Sequence, residues 1–294
     1  MSDTLTLANG DARLNLRPAY GGRISGLAFA DWEVLRPIPE TEKDVWRGYK
    51  GGSFPLVPFS NRIKDARLTF QGRDIALTPH RNEPTSALHG HGCFSEWIVD
   101  GQTGHTADLS YTHTGGHLGW PWTYRARQHF ELTPDSCRIT LGITNQSDAE
   151  MPAGLGFHPF FPFDGDVTMR FGAEAEWISP PEAYPTEQQP LAHEFGGPDG
   201  QHLWRDTKTV CFEGYQGQVD MIWRASGHRL RMTSDGLLDH FIVHVPDGAV
   251  YFCPEPVSHP TDGFNLAAQG VAGGRVLTLQ PGQTVTASMA YQRL

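Results

Sequence analysis

A carboxylate between two prolines is the residue of this sequence best suited to acid–base chemistry. Glu255 stands between Pro254 and Pro256 at the end of an apolar segment. Proline cannot donate a hydrogen bond to a sheet, and it restricts the residue before it to extended conformations. Both prolines therefore hold the Glu255 backbone extended where strand pairing stops. We expect its carboxylate to act as a general base, and the alternative is a surface residue at a strand end.

Three further polar groups are set in similar surroundings. Asn61 and Arg62 follow the apolar segment 54–59, His89 precedes a glycine, and His158 lies among aromatic residues. Taken singly, a histidine in an apolar strand is more often a hydrogen-bonded core residue, and an arginine is most simply half of an ion pair. Taken together, hydrogen-bonding side chains beside glycine, proline and aromatic residues indicate a site for a small ligand with apolar ring faces, such as a sugar.

The elements that must position these side chains are short strands. Alternation of apolar and polar residues around turns predicts hairpins from residues 4–7 with 12–16, 67–70 with 75–77, and 124–132 with 138–143. Thirty-three glycines and 22 prolines leave little room for amphipathic helices. We predict an all-β fold, a large antiparallel sandwich.

The chain shows no low-complexity linker and no internal repeat, so we expect a single domain over residues 1–294. The segment Ser179–Gln189, rich in proline, glutamate and glutamine, is predicted to be a loop that borders a site.

Composition and charge narrow the classes of partner. A formal net charge of -10 without a dense basic cluster argues against nucleic acid. The sequence has no apolar run near the roughly 18 residues that cross a bilayer, and its start lacks the features of a secretory signal, so we expect no membrane association and a cytoplasmic location. Four scattered cysteines predict reduced, partly buried thiols and no disulfide framework or zinc knuckle. The sequence contains neither a GxxxxGK[ST] loop nor a GxSxG elbow, and we expect no cofactor.

Six motifs in a fixed order carry a family resemblance: Gly21–Leu27, Pro58–Ile63, Leu88–Gly90, His158–Phe161, Pro254–Pro256 and Leu279–Gln283. In these motifs, which extend over nearly the whole length, the sequence resembles the aldose 1-epimerase (galactose mutarotase-like) family. The resemblance implies a β-supersandwich and cofactor-free interconversion of the α and β anomers of an aldose.

The same resemblance implies a role for each polar residue. It makes Glu255 the general base and His158 the general acid, it makes Arg62 and His89 ligands of the sugar, and it gives Asn61 a supporting part. Mutarotation fits this set, because the C1 hydroxyl must lose a proton while the ring oxygen gains one, and each positioned group contributes about 10²- to 10⁴-fold.

One strand departs from the family pattern. Where larger members have an aspartate that contacts the sugar, this sequence carries Thr209, with Asp206 three residues earlier. We keep Asp206 as a sugar-binding residue, with a turn-capping aspartate as the alternative. The departure predicts an altered recognition of sugar hydroxyls.

Other functions stay open at this point. A metal-binding cupin would use His89, His91 and Glu96, which have the spacing of that fold's first ligand motif. A carbohydrate-binding protein without activity would share the fold but has no need of an acid and a base. An epimerase of sugar phosphates or sulfonates would need converging basic residues, for which Arg23, Arg62, Lys64 and Arg81 are available. The sugar and the oligomeric state are left open.

Overall fold

Strands dominate the structure. The computed structural model describes residues 4–179, 184–193, 195–204, 208–248 and 250–294. In chain order the strands are β1 (Leu5–Asn9), β2 (Ala12–Arg17), β3 (Arg23–Phe29), β4 (Trp32–Glu33), β5 (Ser53–Leu56), β6 (Arg62–Lys64), β7 (Arg67–Phe70), β8 (Arg73–Ala76), β9 (Ser86–Leu88), β10 (Ile98–Gln102), β11 (Thr106–His113), β12 (Tyr124–Leu132), β13 (Ser136–Asn145), β14 (Met151–Ala153), β15 (Gly156–Pro159), β16 (Phe161–Pro162), β17 (Val167–Phe171), β18 (Ala175–Ile178), β19 (Glu187–Pro190), β20 (Gln201–His202), β21 (Lys208–Glu213), β22 (Gln218–Trp223), β23 (Arg229–Ser234), β24 (His240–Val245), β25 (Tyr251–Val257), β26 (Leu277–Leu279) and β27 (Thr284–Arg293). The helices within the described residues are α1 (Gly263–Ala268) and three 3-10 helices at Val45–Arg47, Gly92–Phe94 and His117–Gly119. The all-β fold class is confirmed.

Two antiparallel sheets form the body of the molecule. Within the described residues the larger sheet has the order β1-β2-β3-β5-β15-β25-β24-β21-β18-β19, with β4 beside β3 and β16 beside β25. The smaller has the order β10-β11-β12-β13-β27-β23-β22-β17-β20. One large apolar cluster combines Leu27 and Phe241 of the larger sheet with Phe130 and Met289 of the smaller one. The two sheets therefore pack face to face, as in a sandwich.

The predicted hairpins are present and antiparallel. Strand β1 pairs with β2, β7 with β8, and β12 with β13. Each pair follows from local information, because alternation fixes the buried face of a strand and the turn residues fix where the chain reverses.

Alternation along the central strands gives the larger sheet a second occupied face. In β24, Phe241 and Val243 belong to the cluster between the sheets, whereas Ile242 belongs to a smaller cluster on the opposite face. Ile242 lies opposite Glu255 of β25, and Cys253 belongs to the same smaller cluster. Residues two apart on a strand share a face, so Glu255 and Cys253 project away from the main core.

The segment after β25 fastens this strand end to a neighbouring hairpin. The Asn265 amide donates to the Arg67 carbonyl over 2.8 Å and accepts from the Thr69 backbone N–H over 3.0 Å. The Asp262 carboxylate accepts from the Lys64 backbone N–H over 3.0 Å. These buried side chains satisfy backbone groups at the ends of β6 and β7, and they hold the C-terminal end of β25 in place.

The predicted loop Ser179–Gln189 is wrong in its last residues. Strand β19 (Glu187–Pro190) pairs with β18 at the edge of the larger sheet, with Trp177 opposite Gln188. Main-chain groups make these bonds whatever the side chains are, so a polar segment can add an edge strand. Residues 180–183 lie outside the described part.

Two further observations concern thiols and helices. All four cysteines are free and buried. No helix in the described ranges has the length and apolar character to cross a bilayer.

Candidate functional site

The site forms where three strands from distant parts of the chain lie side by side. Strand β15 pairs with β5 on one side and β25 on the other, which places His158 opposite Phe54 and Gly156 opposite Val257. A Cβ on Gly156 would lie 2.8 Å from the Val257 side chain and 2.9 Å from the Pro256 carbonyl oxygen. Glycine at 156 therefore allows the close approach that brings β15 and β25 together.

The two predicted proton-transfer groups meet across these strands. His158 Nε2 lies 3.4 Å from Glu255 Oε1, and the two residues are 7% and 2% exposed. The His158 ring stacks on Phe160, with ring centroids 4.6 Å apart and planes 15° apart. The prolines beside Glu255 lie within β25 itself, where Phe241 and Val243 of β24 are opposite them, so the prediction that strand pairing stops at Glu255 is wrong. The acid and the base are thus held on packed strands and not on loops.

Burial moves the two pKa values toward each other. Desolvation raises the pKa of Glu255 well above its ordinary value, and the positive charges of Arg62 and Lys50 partly oppose this rise. Desolvation also lowers the pKa of His158 well below its ordinary value, assisted by His89 and Lys50. Because the carboxyl retains a proton more readily and the imidazole gives one up more readily, the pair shares a single proton over a broad pH range.

His89 stands beside this pair in a strained backbone conformation. Its ring meets the His158 ring edge to face with centroids 5.0 Å apart, and burial lowers the pKa of His89 well below its ordinary value. Its φ is +59°, and that of Asn61 is +52°. The His89 backbone N–H donates to the Asn61 carbonyl over 2.8 Å, so the two left-handed residues support each other. Non-glycine residues in this region cost of order 1–3 kcal/mol, a strain that clusters at functional sites.

Gly90 has the same left-handed backbone and a steric reason for being glycine. A Cβ there would lie 2.2 Å from the Val57 carbonyl oxygen. The chain therefore passes close to the end of β5, and this passage positions the preceding His89.

Arg62 lies outside the cavity lining and is engaged in an ion pair. Its guanidinium pairs with Glu83, with Nη2 2.7 Å from Oε1, and both side chains are about a third exposed. Its backbone N–H donates to Asn61 Oδ1 over 2.9 Å, which is a supporting contact for Asn61. The Arg62 charge acts on the carboxyl of Glu255, so its guanidinium lies within electrostatic range of the pair.

Buried polar atoms of the site residues lack partners among the described residues. Glu255 Oε2, His158 Nδ1 and His89 Nδ1 have none. Buried polar groups in proteins are nearly always hydrogen-bonded, and an unsatisfied one costs about 1–3 kcal/mol. Three such atoms in one place suit a ligand rich in hydroxyl groups.

A cavity opens beside His89 and His158, and Glu255 is not part of its lining. His89, His158 and Phe54 line a space of about 120 Å³, together with Arg23 and Lys50. A second cavity of about 220 Å³ is lined by Trp46, Phe59 and the ring of His91, among others. The two share His80, Leu88 and Phe94 in their walls, so the recess continues along an aromatic side. Aromatic walls suit the apolar faces of a sugar ring.

The sequence analysis missed Lys50 and His244 as members of the site. Lys50 lines the cavity, and His244 lowers the pKa of His158. His244 lies opposite both Thr209 and Cys253, and its Nδ1 is 2.8 Å from Thr209 Oγ1. His240 and His244 are four residues apart in β24 and so share a strand face, but only the order of strands in the sheet shows that this face is the site.

The departure from the family pattern concerns Asp206 and Thr209. Asp206 lies outside the described residues, and its sugar contact stays a prediction. Thr209 is exposed and lies at the same face as Cys253 and Glu255, two strands away. An aspartate at 209 would stand beside His244.

The cupin ligand set is not assembled. His89 meets His158, whereas His91 stacks on His113 with centroids 4.2 Å apart, and Glu96 is exposed. A sharp turn at the left-handed His89 and Gly90 breaks the strand on which two histidines two apart would share a face.

Within the described residues, one group could hold a metal ion: His158, Cys253 and Glu255, whose ligand atoms lie within 4.8 Å of one another. Burial raises the pKa of the Cys253 thiol well above its ordinary value, as it does that of Glu255. A metal needs both groups deprotonated, so their raised pKa values oppose metal binding by this set.

The chain is similar to proteins of one family over nearly its full length. The family model described as aldose 1-epimerase matches residues 3–292. An uncharacterized protein of Escherichia coli K12, YphB, is 29% identical over 297 residues, 98% of this chain and 97% of the relative. An aldose 1-epimerase of the same organism is 27% identical over 111 residues, 37% of this chain and 31% of that protein.

Solved structures agree. A candidate aldose 1-epimerase of Escherichia coli K12 superposes with a TM-score of 0.86 at 27% identity, covering 99% of this chain and 98% of the other. A galactose mutarotase-like protein of Clostridium acetobutylicum has the same fold, with a TM-score of 0.86 at 16% identity, covering 99% and 95% of the two chains. From the match of the family model and the shared β-sandwich, the protein belongs to the aldose 1-epimerase family.

Proposed function

We propose that this protein is an aldose 1-epimerase that interconverts the α and β anomers of an aldose by acid–base ring opening and reclosure. The observation that carries the proposal is the buried pair, with His158 Nε2 3.4 Å from Glu255 Oε1 beneath a cavity with aromatic walls. Family membership supports the reaction class.

The reaction asks for two proton transfers at neighbouring oxygens. The C1 hydroxyl oxygen and the ring oxygen of a pyranose are both bonded to C1, so they lie close together. An acid and a base a few ångströms apart can reach both at once, which is the geometric requirement for general acid–base catalysis. The Glu255 carboxylate accepts the C1 hydroxyl proton as protonated His158 donates to the ring oxygen. The bond from C1 to the ring oxygen breaks, and its electron pair stays on that oxygen.

The products of ring opening are an aldehyde and a hydroxyl group. Rotation about the bond from C1 to C2 turns the other face of the carbonyl toward the hydroxyl oxygen, which then attacks. The hydroxyl returns its proton to His158, and the new C1 oxygen takes the proton back from Glu255. Each cycle therefore ends with the same single proton in the pair, and no other reactant is consumed.

The perturbed pKa values favour this exchange. A carboxylate with a raised pKa is a stronger base, and burial raises the pKa of Glu255 well above its ordinary value. Burial lowers the pKa of His158, so its protonated form is a strong acid. The pair holds one proton whether that proton is on the carboxyl or on the imidazole. Hydroxyl groups of the entering sugar therefore need only move the proton from the Glu255 carboxyl to the His158 imidazole.

Arg62 and His89 complete the proposed site as ligands of sugar hydroxyls. The Arg62 fork is oriented by Glu83, and His89 presents an unpartnered nitrogen beside His158. Asn61 supports both through its backbone carbonyl and side chain. Asp206 is retained as a sugar-binding residue on the resemblance alone.

Polarimetry on freshly dissolved aldoses tests the proposal. Protein treated with EDTA should accelerate the approach to anomeric equilibrium in proportion to its concentration, and adding zinc or manganese should not raise the rate. Protein that leaves the spontaneous rate unchanged with every neutral and anionic aldose tried would overturn the proposal, and activity that appears only with added metal would overturn the proton-transfer mechanism.

A further inference from the structure

Arg23 is a buried cation that has no carboxylate partner within the described residues. The residue is 1% exposed, and its Nη2 donates to the Cys93 carbonyl over 3.1 Å. Its guanidinium lies over the rings of Tyr20 and Phe54, 5.0 and 4.6 Å from their centroids. The Nε and Nη1 groups have no partner among the described residues. Rings and one carbonyl do not offset the desolvation of a guanidinium, which normally requires a paired anion.

Lys50 is a second unpaired cation in the same cavity wall. Its side chain is exposed at the cavity, and no carboxylate in the described part of the chain forms an ion pair with it. Its charge acts on the pKa values of His89, His158 and Glu255 together. The ammonium group is therefore within electrostatic range of the reacting pair.

The charges of the cavity do not balance. Glu83 also lines the cavity, but its carboxylate is paired with Arg62, which leaves Arg23 and Lys50 as a local excess of positive charge in a chain of formal net charge -10. Of the other basic residues suggested by the sequence, Lys64 lies over the ring of Tyr184, and Arg81 lies over that of Trp46 in the wall of the adjoining cavity. A positive recess in an acidic protein attracts anions locally.

The distance from Arg23 to the reacting pair indicates how a bound sugar would be oriented. Phe54 lies between Arg23 and His158, with its ring 4.6 Å from the guanidinium carbon and 4.5 Å from the imidazole centroid. The cation and the reacting pair are thus about one ring apart, on the scale of a sugar that has its anionic group at the end remote from C1.

We propose that the substrate is an aldose with an anionic oxygen group, a carboxylate, phosphate or sulfonate, and that Arg23 and Lys50 bind this group. The inference deepens the proposed function, on which it rests, by naming the substrate class. The guanidinium fork matches the planar pair of oxygens that such groups present, and the flexible lysine adds a point charge at the mouth of the cavity.

Matched sugar pairs test this inference. Anomer exchange is measured for glucose, galactose and mannose beside their 6-phosphates, their 6-sulfonates and the corresponding uronates. For at least one anionic sugar kcat/KM should exceed that of its neutral counterpart by about tenfold or more. Lys50→Gln and Arg23→Gln should each reduce this preference by about tenfold. Lys43→Gln, which removes the same charge from an exposed position outside the cavity, should leave it unchanged.

Two outcomes separate this inference from the proposed function. Exchange of neutral and anionic sugars at equal rates, or a preference for the anionic sugar that Lys50→Gln and Arg23→Gln leave unchanged, overturns the anion site and leaves the epimerase intact. The opposite outcome is anion binding without catalysis. In that case calorimetry shows that a sugar phosphate, sugar sulfonate or uronate binds more tightly than the neutral sugar, that Lys50→Gln weakens this binding, and that no anomer exchange occurs. This result supports the anion site and overturns the epimerase. Lys50 is exposed, so its variant keeps the test valid if Arg23→Gln fails to fold.

Discussion

Removing the two reacting groups singly and together tests how the buried pair works. Glu255→Gln and His158→Asn each keep the approximate shape and lose a proton-transfer group, so each should lower kcat by about 10²- to 10⁴-fold. The two groups are 3.4 Å apart and share one proton, so the reaction needs both at once. The double variant should therefore be no slower than the slower single variant, within about threefold, because residues that act as a unit are not additive.

The measurement is kcat from polarimetric progress curves, with sugar binding followed separately by calorimetry. Binding should persist in Glu255→Gln, because the amide retains hydrogen-bonding capacity. Glu213→Gln is the matched control: it removes a carboxyl from the larger sheet, where Glu213 lies opposite His240, and should change kcat by less than about threefold. A single variant with more than about a tenth of the wild-type kcat, or a double variant whose loss is the product of the single losses, would refute the shared-proton account.

Three further predictions concern stability and recognition. His259 accepts from the Ser60 backbone N–H over 3.1 Å, and burial lowers its pKa to about 4, below its unfolded value of about 6.5. The contribution of neutral His259 to the free energy of unfolding is complete above pH 6.5, and up to about 3 kcal/mol of it is lost as the pH falls toward 4. In urea unfolding, His259→Gln should therefore lose less stability over this pH range than wild type. An identical loss in both proteins would contradict the assignment. Arg62→Ala should raise KM by about 10- to 150-fold, because charged hydrogen bonds to the sugar are lost. Glu83→Gln should raise KM by no more than about fivefold, because the Arg62–Glu83 ion pair is partly exposed. Equal effects of the two variants would show that Arg62 acts only through the ion pair. Thr209→Asp should change the order of preference among epimeric aldoses more than it changes the melting temperature, and an unaltered order would show that position 209 does not reach the sugar.

Local patterns predicted the strands and hairpins because those features depend on neighbouring residues. Alternation and turn chemistry placed β1 with β2 and β12 with β13, and the prolines around Glu255 marked a strand with a fixed backbone. The pattern did not reveal β19, since an edge strand can form from polar residues through main-chain bonds alone.

The membership of the site depends on contacts that local patterns do not contain. Strands β5, β15 and β25 come from the first, middle and last parts of the chain, and their adjacency places His158 against Glu255. Lys50 and His244 join them through the same long-range order, and Arg23, although it lies in the motif Gly21–Leu27, was indicated by the sequence only as one of four basic residues. The resemblance supplied His158 and Glu255 as a pair, whereas the positive charge of the cavity required the structure.

The most direct test of the account is anomer exchange at equilibrium, measured by selective inversion of the H1 resonance of one anomer in the presence of wild-type protein or Glu255→Gln. The account predicts an exchange rate that rises linearly with wild-type concentration and, because one shared proton suffices, stays high between the lowered pKa of His158 and the raised pKa of Glu255. It predicts a rate at least about 100-fold lower with Glu255→Gln that still binds the sugar. Equal exchange with both proteins would contradict catalysis by the Glu255 and His158 pair.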